Sequence, residues 1–141
     1  MEVKELMIDD LVDYNGVSCY VSSIENLGGL VGVETEVICE IVADTELQPI
    51  PLTTEILEKN GWVNKEEKGW MQKGNFGDSP LMLWYIKDTG KFNPHFANEL
   101  EMSDLSKAGG FRLKVQCKYV HQLQHALRAI GLADKAKFKV R

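Results

Sequence analysis

The chain has 141 residues, 16 basic and 21 acidic, a formal net charge of −5, and a hydrophobic content of 44%. That length suits one compact domain or two small lobes sharing a core, and the composition is too apolar for a disordered chain. No apolar run exceeds Leu81–Ile86, about a third of the ~20 residues that cross a bilayer, so no membrane span is expected.

The opening Met1-Glu2-Val3-Lys4 lacks the charged and apolar regions of a secretory signal. Leu11–Tyr14 and Val17–Ser22 then flank Asn15-Gly16, and Asn-Gly supplies the two positive-φ positions of a type I′ hairpin turn. On the second strand Val17, Cys19 and Val21 face one way, and Ser18, Tyr20 and Ser22 the other. Gly28-Gly29 and Gly32 mark the next connection. Glu36–Ala43 resumes the alternation, with Val37, Cys39 and Ile41 on one face. Leu47–Leu52 is a further extended piece stiffened by Pro49 and Pro51. Several short strands within about fifty residues predict a small, strongly bent sheet such as an SH3-like barrel.

Thr53 is placed to cap a short helix over Thr54–Asn60, with Glu55 in its first turn. Gly61 takes the position after the C-cap, and Trp62 can pack back on Leu57 in a Schellman arrangement. Two β-rich stretches follow, Gly69–Lys73 and Leu81–Lys87, around the turn-forming Gly74–Pro80. The run Leu-Met-Leu-Trp-Tyr-Ile is apolar on both faces, as in a central, doubly covered strand that Asp88-Thr89-Gly90 ends. Residues 98–110 are polar and contain Gly109-Gly110, fitting a loop or a short helix at Glu99–Ser106, and Phe111–Cys117 reads as a strand. Tyr119–Ile130 is the strongest helix, because Val120, Leu123, Leu127 and Ile130 form one apolar stripe. Gly131 ends it, and Leu132 closes back on Leu127. In the tail, Lys135, Lys137, Lys139 and Arg141 alternate with Ala136, Phe138 and Val140, as a lysine-guarded edge strand would.

The expected fold class is therefore α+β. An N-terminal SH3-like small β-barrel or bent sheet, residues 1–52, precedes an α+β lobe, residues 53–141, in which the C-terminal helix packs on a small antiparallel sheet. The two lobes are expected to form one compact unit.

Charge is unevenly spread. Residues 1–58 hold thirteen acids and one base, whereas residues 105–141 hold nine bases and one acid, Asp134. Such polarity fits halves that fold against each other and stay soluble. It also fits a basic end that touches a polyanion, with Arg112, Lys114, Lys118 and Arg128 in one patch. The three cysteines, Cys19, Cys39 and Cys117, are odd in number and form no CxxC pair, so a reducing cytoplasm is expected rather than a disulfide framework or thiolate zinc site.

Catalytic constellations are weakly represented. His121 and His125 stand at i and i+4 on the last helix, the spacing that chelates zinc, but Gln122 occupies the place of the general-base Glu. No third ligand is evident, and both rings are expected to point away from the apolar stripe. The remaining use of that surface is a polar recognition face of His121, Gln122, Gln124, His125 and Arg128. Asp88-Thr89-Gly90 matches the tripeptide of aspartic proteases, whose chemistry needs two such carboxylates together; a turn ending a strand explains it equally. Gly28–Gly32 lacks the Gly-Lys-Ser/Thr of a phosphate cradle, and no G-x-S-x-G is present. Trp62, Trp70, Trp84, Tyr85, Phe92 and Phe96 cluster, as core or as a stacking platform for single strands. No enzyme activity, cofactor or metal is expected.

Three segments carry a family likeness. Leu6–Gly16, Pro49–Gly61 (P-I-P-L-T-T-E-I-L-E-K-N-G) and Tyr119–Leu127 (Y-V-H-Q-L-Q-H-A-L) together resemble a family of small uncharacterised proteins found in genomes of gut bacteria and their phages or mobile elements. Asp9 stands where that family usually has Gly, which implies a turn of slightly different geometry. The resemblance implies no activity and no catalytic residue. The leading expectation is a non-enzymatic, cytoplasmic interaction module of phage or mobile-element origin with a protein partner. The alternative is a nucleic-acid-binding protein using its basic C-terminal third.

Overall fold

The computed structural model describes residues 1–25, 28–65, 69–73, 80–86, 98–104 and 112–139. The fold is α+β and mostly sheet, with two five-stranded antiparallel sheets, one of them curled, and the helices α1 (Thr54–Lys59) and α2 (Val120–Ala129). The chain divides into two units, Met1–Ile50 with Tyr119–Phe138, and Pro51–Lys118 with Lys139–Arg141.

The first unit is built on β1 (Leu11–Tyr14), β2 (Val17–Glu25), β3 (Leu30–Glu34), β4 (Cys39–Ala43) and β5 (Leu47–Pro49), ordered β4-β3-β2-β1-β5. Asn15 at φ 51° and Gly16 at φ 82° make the tight β1–β2 turn, and the Gly16 N–H donates to Asp13 Oδ1 at 2.8 Å. β2 shifts register against β3 between Val21 and Ser23, which bends the strand and helps the sheet curl. Val12, Cys19, Val21, Val31, Val33, Val42 and Leu47 share its apolar interior, with Leu6. Successive strand residues face opposite ways, yet Leu11 and Val12 are both buried, so β1 is covered on two sides. Its second cover is α2, whose Gln124 Oε1 accepts the Leu11 N–H at 3.0 Å.

The C-terminal helix thus belongs with the N-terminal sheet, and the expectation that it packs on the second sheet is corrected. Val120, Leu123 and Leu127 are buried as the stripe predicts, while Ile130, at the C-cap, is half-buried. Gln122 Oε1 accepts the Tyr119 N–H at 3.0 Å and caps the helix start. At its end Gly131, φ 81°, donates to Arg128 O, and Leu132 N donates to Leu127 O at 2.8 Å, the two bonds of a Schellman close. The tail is a 3-10 turn, Ala133–Ala136, followed as far as Lys139 by chain outside any strand rather than by an edge strand. Its alternation survives as burial: Ala136 and Phe138 are inside, Lys137 and Lys139 outside.

The second unit holds β6 (Val63–Asn64), β7 (Gly69–Lys73), β8 (Pro80–Tyr85), β9 (Asn98–Asp104) and β10 (Arg112–Cys117) in the meander order β10-β9-β8-β7-β6. α1 precedes it, capped by Thr53, whose hydroxyl accepts the Ile56 N–H at 3.2 Å. Gly61 at φ 88° and Trp62 close α1 through bonds to Glu58 O and Leu57 O. β8 is central, as its apolar run predicts. Leu81, Met82 and Leu83 are buried, whereas Trp84 and Tyr85 are half-buried and Ile86 is exposed, so only its first half is covered on both faces. The stretch expected as a loop or helix at Glu99–Ser106 is instead the strand β9 as far as Asp104, and Leu105 and Ser106 lie outside the described residues. Leu100 and Met102 point into the core from alternate positions, and the alternation outweighs the helix propensity of Glu, Leu and Met. Gly109-Gly110 and the turn Gly74–Pro80 up to Ser79 lie outside the described residues.

Candidate functional site

The main polar cluster lies in the first unit, where α2 meets the residues leading into β1. Asp9, in the turn before β1, takes φ 71°, in the left-handed region that glycine favours. That turn delivers Asp10 to the interior with no exposed surface. Three donors meet its carboxylate. Arg128 Nη1 donates to Oδ1 at 2.6 Å, His125 Nε2 lies 2.6 Å from Oδ2, and the Met7 N–H donates to Oδ2 at 2.8 Å. His125 and Arg128 are one helical turn apart on α2 and so reach the same group.

Gln124, beside them on α2, has no exposed surface. Besides accepting from Leu11 N, its amide nitrogen donates to Asp9 O at 3.3 Å and to Ala136 O at 2.9 Å. It therefore ties the turn before β1 to the 3-10 turn after α2. His121, expected to face outward, is only 6% exposed. Its ring stacks on Tyr119 at 5.8 Å and meets His125 edge-on at 5.5 Å. Burial pushes its pKa down, His125 adds to that, and Asp10 and Glu5 partly oppose it. Its Nδ1 has no hydrogen-bond partner among the described residues.

All five residues of the expected recognition face are thus placed, but four turn inward and Gln122 caps the helix. The helical wheel misjudges the histidines because α2 buries an arc wider than its apolar stripe: buried Asp10 requires polar partners on the adjacent stripe, which His125 and Arg128 supply. Asp10 itself was missed by sequence reasoning. The available signal was an acid directly before the apolar Leu11-Val12, in a segment almost devoid of bases. A carboxylate with three donors on its two oxygens is electrostatically matched, which suits positioning more than attack on a substrate.

The polyanion candidates are divided between the units, Arg128 in the first and Lys114 and Lys118 in the second. Arg128 is committed to Asp10 with its side chain 16% exposed. Lys114 is exposed on β10, Lys118 is half-buried, and the Arg112 side chain lies outside the described residues, as do Asp88-Thr89-Gly90, His95, Phe92 and Phe96. Trp62 and Trp70 are core. Trp84 Nε1 donates to Ser103 Oγ at 2.8 Å, and Trp70 Nε1 to Tyr85 Oη at 2.7 Å. All three cysteines are free thiols; burial pushes Cys117 up to about 12, which removes it as a thiolate nucleophile. Among the described residues no three His, Cys, Asp or Glu are grouped to hold a metal ion, and no helix is long and apolar enough to cross a membrane.

A second surface was only half-read from the sequence. Cys39 and Ile41 do share a face of β4, but the outer one, with Ile41 74% exposed and Cys39 exposed too, whereas Val37, 89% exposed, lies in the turn before the strand. They lie on and just before β4, which ends the first sheet's strand order. Comparison with protein-family models, curated proteins and solved structures finds no match for this chain.

Proposed function

We propose that this chain is a non-enzymatic module that binds another protein, and that β4 is its contact surface. The observation that carries this is the exposure of Ile41 on a terminal strand of the first sheet and of Val37 in the turn that leads into it. Scattered exposed apolar residues are ordinary, but side chains this open on an edge strand invite a partner. The closed state of the Asp10 cluster supports a scaffolding role for α2. An SH3-like identity for the first sheet is part of the same proposal. Its support is a five-stranded order in which β5 returns to pair with β1 after a 3-10 turn, Asp44–Glu46. A cytoplasmic setting and a phage or mobile-element origin complete it, the first supported by three unpaired thiols and the second by the segment resemblance.

The test is affinity capture with three forms of the full chain: wild type, Ile41→Lys, and Lys114→Glu on β10. A protein retained by wild type and K114E but lost by I41K is the expected result. If every captured protein is indifferent to Ile41, β4 is not the contact surface. Loss of binding in K114E alone would favour the nucleic-acid alternative.

A further inference from the structure

The β4 edge has backbone chemistry as well as apolar side chains. The Thr35 N–H donates to Ile38 O at 2.8 Å, and the Asp44 N–H donates to Gly29 O at 2.8 Å. These two bonds lie at opposite ends of the β3–β4 ladder and fix its phase, since hydrogen-bonded pairs alternate along antiparallel strands. Val33↔Glu40 and Val31↔Val42 are then the bonded pairs, and Glu34↔Cys39 and Gly32↔Ile41 the others. The N–H and C=O groups of Cys39 and Ile41 therefore point away from β3, along the open side of the sheet. Ala43, next in that phase, has its N–H taken by Glu46 Oε2 at 3.1 Å, which ends the open stretch.

The surroundings are acidic. Glu34, Glu36, Glu40 and Glu46 are all exposed, and no lysine or arginine occurs between Lys4 and Lys59. Glu40 lies on the opposite face of β4 from Cys39 and Ile41. Beside it the Tyr14 phenol is pushed above its ordinary range, first by burial and then by Glu40 and Glu46. Edge strands are commonly guarded by lysine, and this one carries none. A second copy of the chain fits poorly, because edge-to-edge pairing would bring the same acids together.

We infer that the open edge of β4 takes up, by strand addition, an extended segment of a partner protein with apolar residues at alternate positions and lysine or arginine between them. Main-chain groups of Cys39 and Ile41 would pair with the segment. Its apolar side chains would lie beside Ile41 and Val37, and its cations beside Glu40 on the other face. This rests on β4 being the contact surface and goes further by naming what occupies it.

Cys39 supplies a native reporter, since it is the exposed thiol while Cys19 and Cys117 are buried. The experiment is alkylation of the full chain with N-ethylmaleimide in the presence of three synthetic peptides. One alternates lysine with valine and isoleucine, one replaces every lysine by glutamate, and one scrambles the first. The alternating basic peptide is expected to slow Cys39 alkylation and to protect the Ile41 amide from hydrogen exchange. Its affinity should fall about tenfold or more in Ile41→Lys, which loses an apolar contact and adds a like charge. Val37→Lys, nine-tenths exposed and thus free of folding consequences, should weaken it in the same direction. Equal protection by the acidic or scrambled peptide, no protection by any, or chain dimerisation through β4 overturns the inference. The capture experiment with I41K is read separately, so a partner lost there while all peptides fail rejects the occupant's chemistry and leaves the surface standing.

Discussion

A carboxylate with no exposed surface must have its charge matched where it lies, and Asp10 meets that demand with Arg128, His125 and the Met7 N–H. Breaking a buried pair from one side leaves the other charge stranded, so Arg128→Ala is expected to destabilise the protein by about 3 kcal/mol in urea unfolding. Replacing both partners, Asp10→Leu with Arg128→Met, should recover part of that loss because no uncompensated charge remains. A change below about 0.5 kcal/mol in R128A would show that Arg128 does not hold the carboxylate. His121 gives a pH signature of known sign. Its folded pKa is lowered by burial, whereas the unfolded ring titrates near about 6.5. Below that pH the unfolded chain binds more protons, so stability is full above it and falls as pH drops. His121→Phe, which keeps a ring against Tyr119, should flatten the slope below about pH 6.5. An unchanged slope would assign it to another group.

At the scale of elements, the sharpest steric constraint is in the second sheet. Gly69 on β7 has φ 148°, and a Cβ there would stand 1.9 Å from the Leu83 carbonyl oxygen of β8. Gly69→Ala is expected to cost about 3 kcal/mol or more, because a backbone ladder must part to admit it. Gly16→Ala, at φ 82° with nothing within 4 Å, should cost only about 1 kcal/mol of backbone strain. Equal losses in thermal unfolding would refute the steric account. Local signals were the legible ones: the Asn15-Gly16 turn, the Thr53 cap and both Schellman closes follow from residues within five positions of each other. β9 was misassigned although its Leu100–Met102 alternation is visible, because glutamate-rich segments also suit helices. The outward face of β4 could not be read, since alternation says which residues share a face but not which face is inside.

For the whole molecule, the sequence placed a boundary near residue 50 but assigned the last helix to the wrong neighbour. The partners that decide the matter, Asp10 with His125 and Arg128, are 115 and 118 residues apart, and no periodicity reports a contact of that separation. The charge polarity was the only distant hint. It finds a concrete expression in the buried Asp10–Arg128 pair, while most of the acids of residues 1–58 stay outside. The first unit is therefore discontinuous in the chain, with the second encoded between its parts. During synthesis its sheet leaves the ribosome several seconds before α2, at about 5–20 residues per second. Throughout that interval Asp10 has neither of its side-chain partners, and Leu11 lacks its cover. A nascent chain halted after Lys118 would have finished most of what it began last, and left unfinished what it began first.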